Sequence, residues 1–310
     1  MLNKVAVIIV TYNGMQWIPK TLACIPEKYH IIVVDNNSSD DTVSYIQQHY
    51  KTISLFPQQK NLGFGGGNNL GIKYAIKKGA DYVFLLNQDA YLNSNTIDSL
   101  VKMHKSNANY GILSPIHLNG IGNELDWNFS TYLEDKHVNE INIAGFNTEE
   151  KHKNSVYEVP FVNAAAWLLP LETLNTVGGF DPIFFHYGED NNYCQRVLYH
   201  NLKIGVVAST FVRHDRINQE LNPKIALEDA LKKREKQLKV NWADITENKL
   251  FEVSQRKKNL FKKFMISLIK FNFKNAKHKW AEIKLINRIV PQIKLSRQKN
   301  VVKGRLYIDE

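Results

Sequence analysis

Glu189 and Asp190 stand side by side after an aromatic run, Phe184-Phe185-His186-Tyr187, with Gly188 between. Two adjacent carboxylates beside apolar rings are costly to desolvate. At least one is expected to hold its proton above the usual carboxylate range, which suits a general base. The same pair also reads as an ordinary helix start, because acidic side chains favour the first turn. Its company argues for chemistry. About a hundred residues upstream, Asn87-Gln88-Asp89 closes the apolar run Tyr82-Val83-Phe84-Leu85-Leu86, which reads as a buried strand. A glycine-rich stretch, Asn61 to Gly71, reads as a loop before a helix, where the backbone can approach a ligand and anions are favoured. It fits neither the dinucleotide fingerprint nor the Walker motif, which needs Gly-Lys-Ser/Thr.

The elements that must position these residues alternate. Strands are expected at Val5–Val10, Ile31–Val34, Ile53–Phe56 and Tyr82–Leu86. Helices are expected at Trp17–Cys24, Thr42–His49, Asn68–Lys78 and Asn95–Ser106, the third closed by Gly79. Such alternation means βαβ units, and in their sheets ligands bind beyond the carboxyl ends of the strands. Thr11, Asp35 and Asn87–Asp89 all follow strand ends, so one rim should carry them. From about 110 to 165 the pattern loosens and reads as sheet extension plus loops, including the β-like run Val156–Val162. Asn163–Leu169 reads as a buried strand or turn, and Leu171–Val177 as a helix ended by Gly178-Gly179. A helix at Asn191–Tyr199 and a last strand at Lys203–Ala208 complete the body.

The 310 residues, 44% of them hydrophobic, suffice for one large domain with an appendage. Cys24 and Cys194 form no spacing pattern, which excludes a Cys metal cluster or a disulfide framework and fits a reducing compartment. The run Val5–Val10 is too short for a membrane span and has no cleavage-site pattern after it. The formal charge of +10 is uneven. From residue 231 onward there are 22 basic and 7 acidic residues, leaving 18 and 23 before it, so a body of −5 carries a tail of +15. The division expected is 1–225 for the catalytic domain and 226–310 for a basic helical extension.

Six elements occur in a familiar order: Val7-Ile8-Ile9-Val10-Thr11-Tyr12-Asn13, Val33-Val34-Asp35-Asn36-Asn37-Ser38-Ser39-Asp40, Asn61–Gly71, Leu86-Asn87-Gln88-Asp89, Gly178-Gly179-Phe180-Asp181, and Gly188-Glu189-Asp190 followed by Arg196 and His214. With these, residues 4 to 216 resemble a family 2 glycosyltransferase. The glycine stretch and the Phe-Phe-x-Tyr-Gly-Glu-Asp pattern look most like the bacterial rhamnosyltransferase branch. The resemblance implies an α/β fold of the GT-A type, a Rossmann-like mixed, mainly parallel sheet flanked by helices. It implies that Thr11, Tyr12 and Asn13 hold base and ribose, and that Asp35 accepts from the base imide, as uracil or thymine would allow. Asn61, Gly63, Asn68, Asn87 and Gln88 would lie along the donor, and Arg196 would pair with an acid or help the leaving diphosphate. Asp89, with His214 as second ligand, would hold Mg2+ or Mn2+. Asp190 would be the general base and Glu189 would orient the acceptor. The departure is Asn87, where the family often has a first acid.

The activity so implied is inverting transfer of a sugar, rhamnose among the candidates, from a dTDP or UDP donor to a glycan or lipid-linked acceptor in surface polysaccharide synthesis. The competing reading is a non-catalytic nucleotide-sugar binding or scaffolding protein of the same fold. Phe261–Lys270 and Trp280–Val290 carry apolar residues at helical spacing, with Lys on the other face. They are read as packed helices whose basic face meets anionic head groups, at the inner face of the plasma membrane on the cytoplasmic side. Nothing resembles a nucleic-acid module.

Overall fold

The computed structural model describes residues 4–144, 155–216 and 227–309. The expected division between 225 and 226 lies outside the described residues. In chain order the elements are β1 Val5–Thr11, α1 Ile18–Ala23, β2 His30–Asp35, α2 Thr42–His49, β3 Ser54–Pro57, α3 Gly63–Lys77, β4 Tyr82–Asn87, β5 Ala90–Leu92, α4 Thr96–Ser106, β6 Tyr110–Asn119, α5 Trp127–Ser130, α6 Asp135–Ala144, β7 Val156–Glu158, β8 Ala166–Pro170, α7 Leu171–Thr176, α8 Glu189–Tyr199, β9 Lys203–His214, α9 Leu227–Ala243, α10 Glu252–Ile269 and α11 Phe273–Asn300.

One mixed sheet runs in the order β3-β2-β1-β4-β8-β6-β9-β5, with β7 pairing β9. β1, β2, β3 and β4 are mutually parallel, as alternating strands and helices require. In register, Thr11 stands beside Asp35, and Val10 beside Asn87. Three motifs that are distant in sequence therefore end at one level of one sheet. Strand side chains alternate between two core layers. Ile8, Val83 and Leu85 pack on one face, and Val7, Ile9, Phe84 and Leu86 on the other.

The structure departs from the sequence reading in four places. The glycine stretch is the N-terminal half of α3 and not a loop. Its glycines serve close helix–sheet packing, which outweighs their low helix propensity. A Cβ at Gly67 would lie 2.8 Å from Val10, and one at Gly71 would lie 2.6 Å from Ile8. The loosely patterned middle contains β6, ten residues long and buried along nearly its whole length, so it lacks the polar alternation that marks a half-exposed strand. The last strand extends to His214 rather than ending at Ala208. Finally, α8 begins at Glu189 rather than at Asn191, so the acidic pair forms its first turn, as the helix-start reading of the pair had it.

The basic extension is not a loose appendage. Leu238, Trp242, Ile286, Ile289 and Ile293 form their own apolar cluster with Phe184 of the body. The chain then returns to the sheet domain. Gly179 N donates to Leu306 O at 2.8 Å, and Ile308 enters the main core. Gly178 has φ +82 and abuts the Leu306 backbone, so a side chain would be strained there. Asp181 is buried, and its Oδ2 accepts from Ser296 Oγ at 2.6 Å, Asn300 Nδ2 at 2.8 Å and Tyr307 OH at 3.2 Å. Cys24 and Cys194 are both free thiols.

Candidate active site

The carboxyl ends of β1, β2 and β4 build the first wall. Gln88 Oε1 accepts from Thr11 Oγ1 at 2.7 Å and from the Tyr12 amide at 3.0 Å, while its Nε2 donates to Tyr12 O at 3.3 Å. Gln88 thus fixes the backbone of the β1 turn. Ser38 does the same from β2. Its Oγ accepts from the Asn13 amide at 2.8 Å and donates to Asp35 Oδ1, and its own amide donates to Asp35 Oδ2 at 3.0 Å. Asn13 and Asn37 sit at φ 46 and 67, left-handed values that asparagine tolerates. Asp35 is buried, and both its oxygens already hold the turn together. The ring of Tyr12 stands half exposed at the rim. Asn36 links this wall to α3, donating to Gly63 O at 3.1 Å. Asn61 Oδ1 accepts from the Gly63 amide at 2.8 Å.

The second wall brings Asp89 to the end of β9. Asp89 Oδ1 lies 3.4 Å from His214 Nε2, and Asn87 Nδ2 lies 3.5 Å from the same nitrogen. The other ring nitrogen, Nδ1, accepts from Arg216 Nε at 3.2 Å and lies 3.7 Å from Asp126 Oδ2. Asp126 is buried, caps α5 through Phe129 N at 2.9 Å and pairs with Arg216 Nε at 2.9 Å. Asp89 and His214 supply one hard oxygen and one imidazole nitrogen. That set fits Mg2+ or Mn2+ when donor phosphate oxygens and waters complete it. Among the described residues no group of three His, Cys, Asp or Glu could hold a metal alone.

The third wall is the start of α8. Tyr187 and Gly188 both have positive φ, 68 and 97, and for a bulky Tyr this is a strained value. Glu189 is buried. Burial, reinforced by the Asp190 charge, pushes its carboxyl up to about 7. Asp190 is half-buried, and desolvation raises it as well, partly offset by the Asn191 amide, Lys236 and Arg216. Arg216 therefore joins the two acidic corners: it donates to His214 beside Asp89, and its charge acts on Asp190. Glu189 Oε2 and both side-chain polar atoms of Asn192 are buried with no hydrogen-bond partner. Lys236 of α9 stands 4.9 Å from the centroid of the Tyr187 ring.

Thr11, Tyr12, Asn13, Asp35, Asn87, Gln88, Asp89 and His214 come together on the rim as the sequence suggested. Asn61 and Gly63 flank it, Gly63 packed against the Phe185 carbonyl. Two residues do not reach it. Asn68 is buried in α3 and donates back to Phe64 O at 3.0 Å. Arg196 is fully buried and donates through its two terminal nitrogens to the carbonyls of Gly179 and Val177, tying α8 to the Gly178-Gly179 turn, and its Nε is buried without a partner, so burial keeps it from a diphosphate at the rim. Sequence reasoning missed Asn36, Ser38, Asp126, Arg216 and Lys236. Ser38 and Asp126 carried only turn and helix-cap signals, and Lys236 lay in a segment read as remote.

Comparison with known proteins follows the same outline. The family described as glycosyl transferase family 2 matches residues 6–169. The low-salt glycan biosynthesis hexosyltransferase Agl10 of Haloferax volcanii is 28% identical over 206 residues, 66% of this chain and 65% of that protein. The chain thus spans just under two thirds of that relative's length. The dTDP-rhamnosyl transferase RfbF of Shigella flexneri is 21% identical over 220 residues, 69% of this chain and 70% of that protein. Among solved structures, S. aureus TarS 1-349 in complex with UDP-GlcNAc superposes with a TM-score of 0.55 at 15% identity, covering 99% of this chain and 90% of that one. GalNAc-T7 with UDP, GalNAc and Mn2+ gives 0.54 at 16% identity, covering 76% of this chain and 48% of that one. These likenesses show a GT-A fold.

Proposed function

The chain belongs to glycosyl transferase family 2 and is a glycosyltransferase, and from that membership we propose that it moves a sugar, rhamnose first among the choices, from a dTDP or UDP donor to a hydroxyl of a glycan or lipid-linked acceptor, with inversion. The observation that carries the reading is that the Gln88–Thr11–Tyr12 wall and the Asp89–His214 corner lie at the ends of sheet strands, while the start of α3 packs on the segment of Phe185 and Glu189, where a Cβ at Gly65 would lie 3.9 Å from the Glu189 Cβ. Support for the donor comes from relatives named as a hexosyltransferase and a dTDP-rhamnosyl transferase, and from neighbours holding UDP or a UDP-sugar. A role in surface polysaccharide synthesis is part of the same proposal. A purely binding or scaffolding role would rest on Asn87 standing where the family often has an acid; the presence of Asp89, Glu189 and Asp190 argues against it.

The base and ribose would lie on Thr11, Tyr12 and Asn13, with Asp35 taking the imide through lone pairs that Ser38 leaves free. Asp190 accepts the proton of the acceptor hydroxyl as that oxygen attacks the anomeric carbon. The bond from that carbon to the donor phosphate oxygen breaks, and its electron pair leaves with the nucleoside diphosphate. Attack from the face opposite the leaving group inverts the configuration. Glu189, holding its proton up to about pH 7, can donate a hydrogen bond that orients the acceptor. Asp89 and His214 are the residues that would hold Mg2+ or Mn2+, whose charge would stabilise the leaving diphosphate.

The test is a thermal-shift screen of dTDP- and UDP-sugars with Mg2+ or Mn2+, since a ligand that binds only the native state raises apparent stability. The stabilising donor is then supplied with glycan and lipid-diphosphate acceptors. Release of nucleoside diphosphate with an inverted anomeric linkage supports the reading. A retained configuration, or no release from any donor, overturns it.

A further inference from the structure

The extension carries a surface that donor chemistry does not use. α10 and α11 form an antiparallel hairpin that turns at 270–272. α10 buries only Leu260 and Ser267. The cluster that fixes the hairpin to α9 and to Phe184 lies at its base, at Leu260, Ile283, Ile286, Ile289 and Ile293. Beyond that base the hairpin buries only the small residues Ser267 and Ala276 and leaves its large apolar side chains outside. Phe261, Met265 and Ile269 recur at four-residue spacing and are exposed, Ile269 at 73%. At the turn itself, Phe271 is 80% exposed and Phe273 64%, with ring centroids 6.3 Å apart. Phe271 adopts φ 54, so the backbone holds an aromatic residue in a conformation that such side chains rarely take. Trp280, 42% exposed, stacks on Phe264 at 5.3 Å and continues the apolar edge.

The charge around this edge has one sign. Between Glu252 and Glu282 there are nine Lys and Arg and no Asp or Glu. Exposed large apolar side chains at a protruding tip would be a liability in water unless something covers them. A second copy of the chain would bring nine positive charges against nine. A surface that is anionic at its face and apolar beneath fits both features at once. No helix among the described residues is long and apolar enough to cross a membrane, so contact would be from one side.

We propose that the α10–α11 tip inserts Ile269, Phe271 and Phe273 into an anionic bilayer while the flanking lysines meet its head groups. This goes beyond the transferase reading and does not depend on it. It would hold the protein beside a membrane that could carry a lipid-linked acceptor.

The experiment uses the full chain and vesicles of phosphatidylcholine with or without phosphatidylglycerol. Two variants are compared with the parent: Ile269→Ser/Phe271→Ser/Phe273→Ser, and Lys257→Glu/Lys258→Glu/Lys262→Glu/Lys263→Glu. All positions are exposed or half-exposed and lie outside the donor site, and circular dichroism with donor-induced thermal shift checks that folding is intact. The parent is expected to co-sediment with anionic vesicles and not with neutral ones. Each variant should bind at least about tenfold more weakly, and the parent's binding should weaken as salt rises. Quenching of Trp280 by brominated lipid, absent in Trp280→Phe, should report its approach to the acyl region. Three results would each overturn the proposal: no vesicle binding by the parent, binding unchanged by the triple serine variant, or a parent dimer that the serine variant splits without any vesicle binding.

Discussion

The rim at the ends of β1, β2 and β4 and the start of α8, which α3 joins through Gly63 against the Phe185 carbonyl, are finished differently. On the rim, Thr11, Asn13, Asp35, Ser38 and Gln88 satisfy one another through short hydrogen bonds. At α8, Glu189 Oε2 and the Asn192 amide group are buried without partners, beside a Tyr187 held at φ 68. Buried polar groups are normally paired, and the exceptions concentrate where strain or chemistry is stored. Under the proposed function, the nucleotide side would be built before the ligand arrives. The acceptor side would keep hydrogen-bonding capacity in reserve, with a Glu189 carboxyl pushed up to about 7.

The sharpest way to break this comparison is Asp190→Asn. It should lower kcat by about two to four powers of ten, the usual share of a general base, while donor binding by thermal shift stays intact. Near-normal turnover in a folded variant would move the base elsewhere. Asp89→Ala comes next. Losing a carboxylate from the leaving-group corner should cost about 10²–10³ in turnover and weaken donor binding in Mg2+ or Mn2+. Full activity of the parent in excess chelator would show that Asp89 and His214 act without a cation.

Ser38→Ala tests the finished side. It removes an acceptor for the Asn13 amide and the hydroxyl that donates to Asp35 Oδ1, while the backbone amide bond to Asp35 Oδ2 stays, so it should cost about 1–3 kcal/mol in stability and raise the donor KM more than it lowers kcat. An unchanged donor KM would mean the rim is not preorganised through this serine.

The smallest effect is on stability and is set by pH. Glu189 has its carboxyl raised from 4.5 to about 7 in the folded state. Between those values the folded chain binds the proton and the unfolded chain does not, so this group's contribution falls as pH rises through the window and is flat above it. Glu189→Gln should therefore be more stable than the parent above pH 7, on the order of 1–3 kcal/mol, with the gap closing toward pH 4.5. Urea unfolding at the two ends of the window measures it. A gap independent of pH would place the Glu189 carboxyl in the ordinary range.

Part of this molecule was legible before folding. Strand–helix alternation and the acids and amides after Thr11, Val34 and Leu86 require a common rim, because a parallel sheet puts the carboxyl ends of its strands together. The adjacency of Glu189 and Asp190 to aromatic residues already implied a desolvated carboxyl. Other features needed the tertiary structure because they depend on partners far away in the chain. Arg196 looked like a site residue, but it is fully buried and turned to the Val177 and Gly179 carbonyls. The glycine stretch read as a loop before a helix, but from Gly63 onward it is helix, and Gly67 and Gly71 make room for Val10 and Ile8. Gly178-Gly179 looked like a helix stop, but it is also the seat of the returning C-terminal segment. Lys236 lay beyond the site expected before residue 217, but folding sets α9 against the turn that precedes α8. Sequence determined which groups can do chemistry and the order of the strands that carry them. Only packing decided which of those groups keep a free face, because a side chain's remaining hydrogen-bonding capacity is fixed by what its neighbours have already taken.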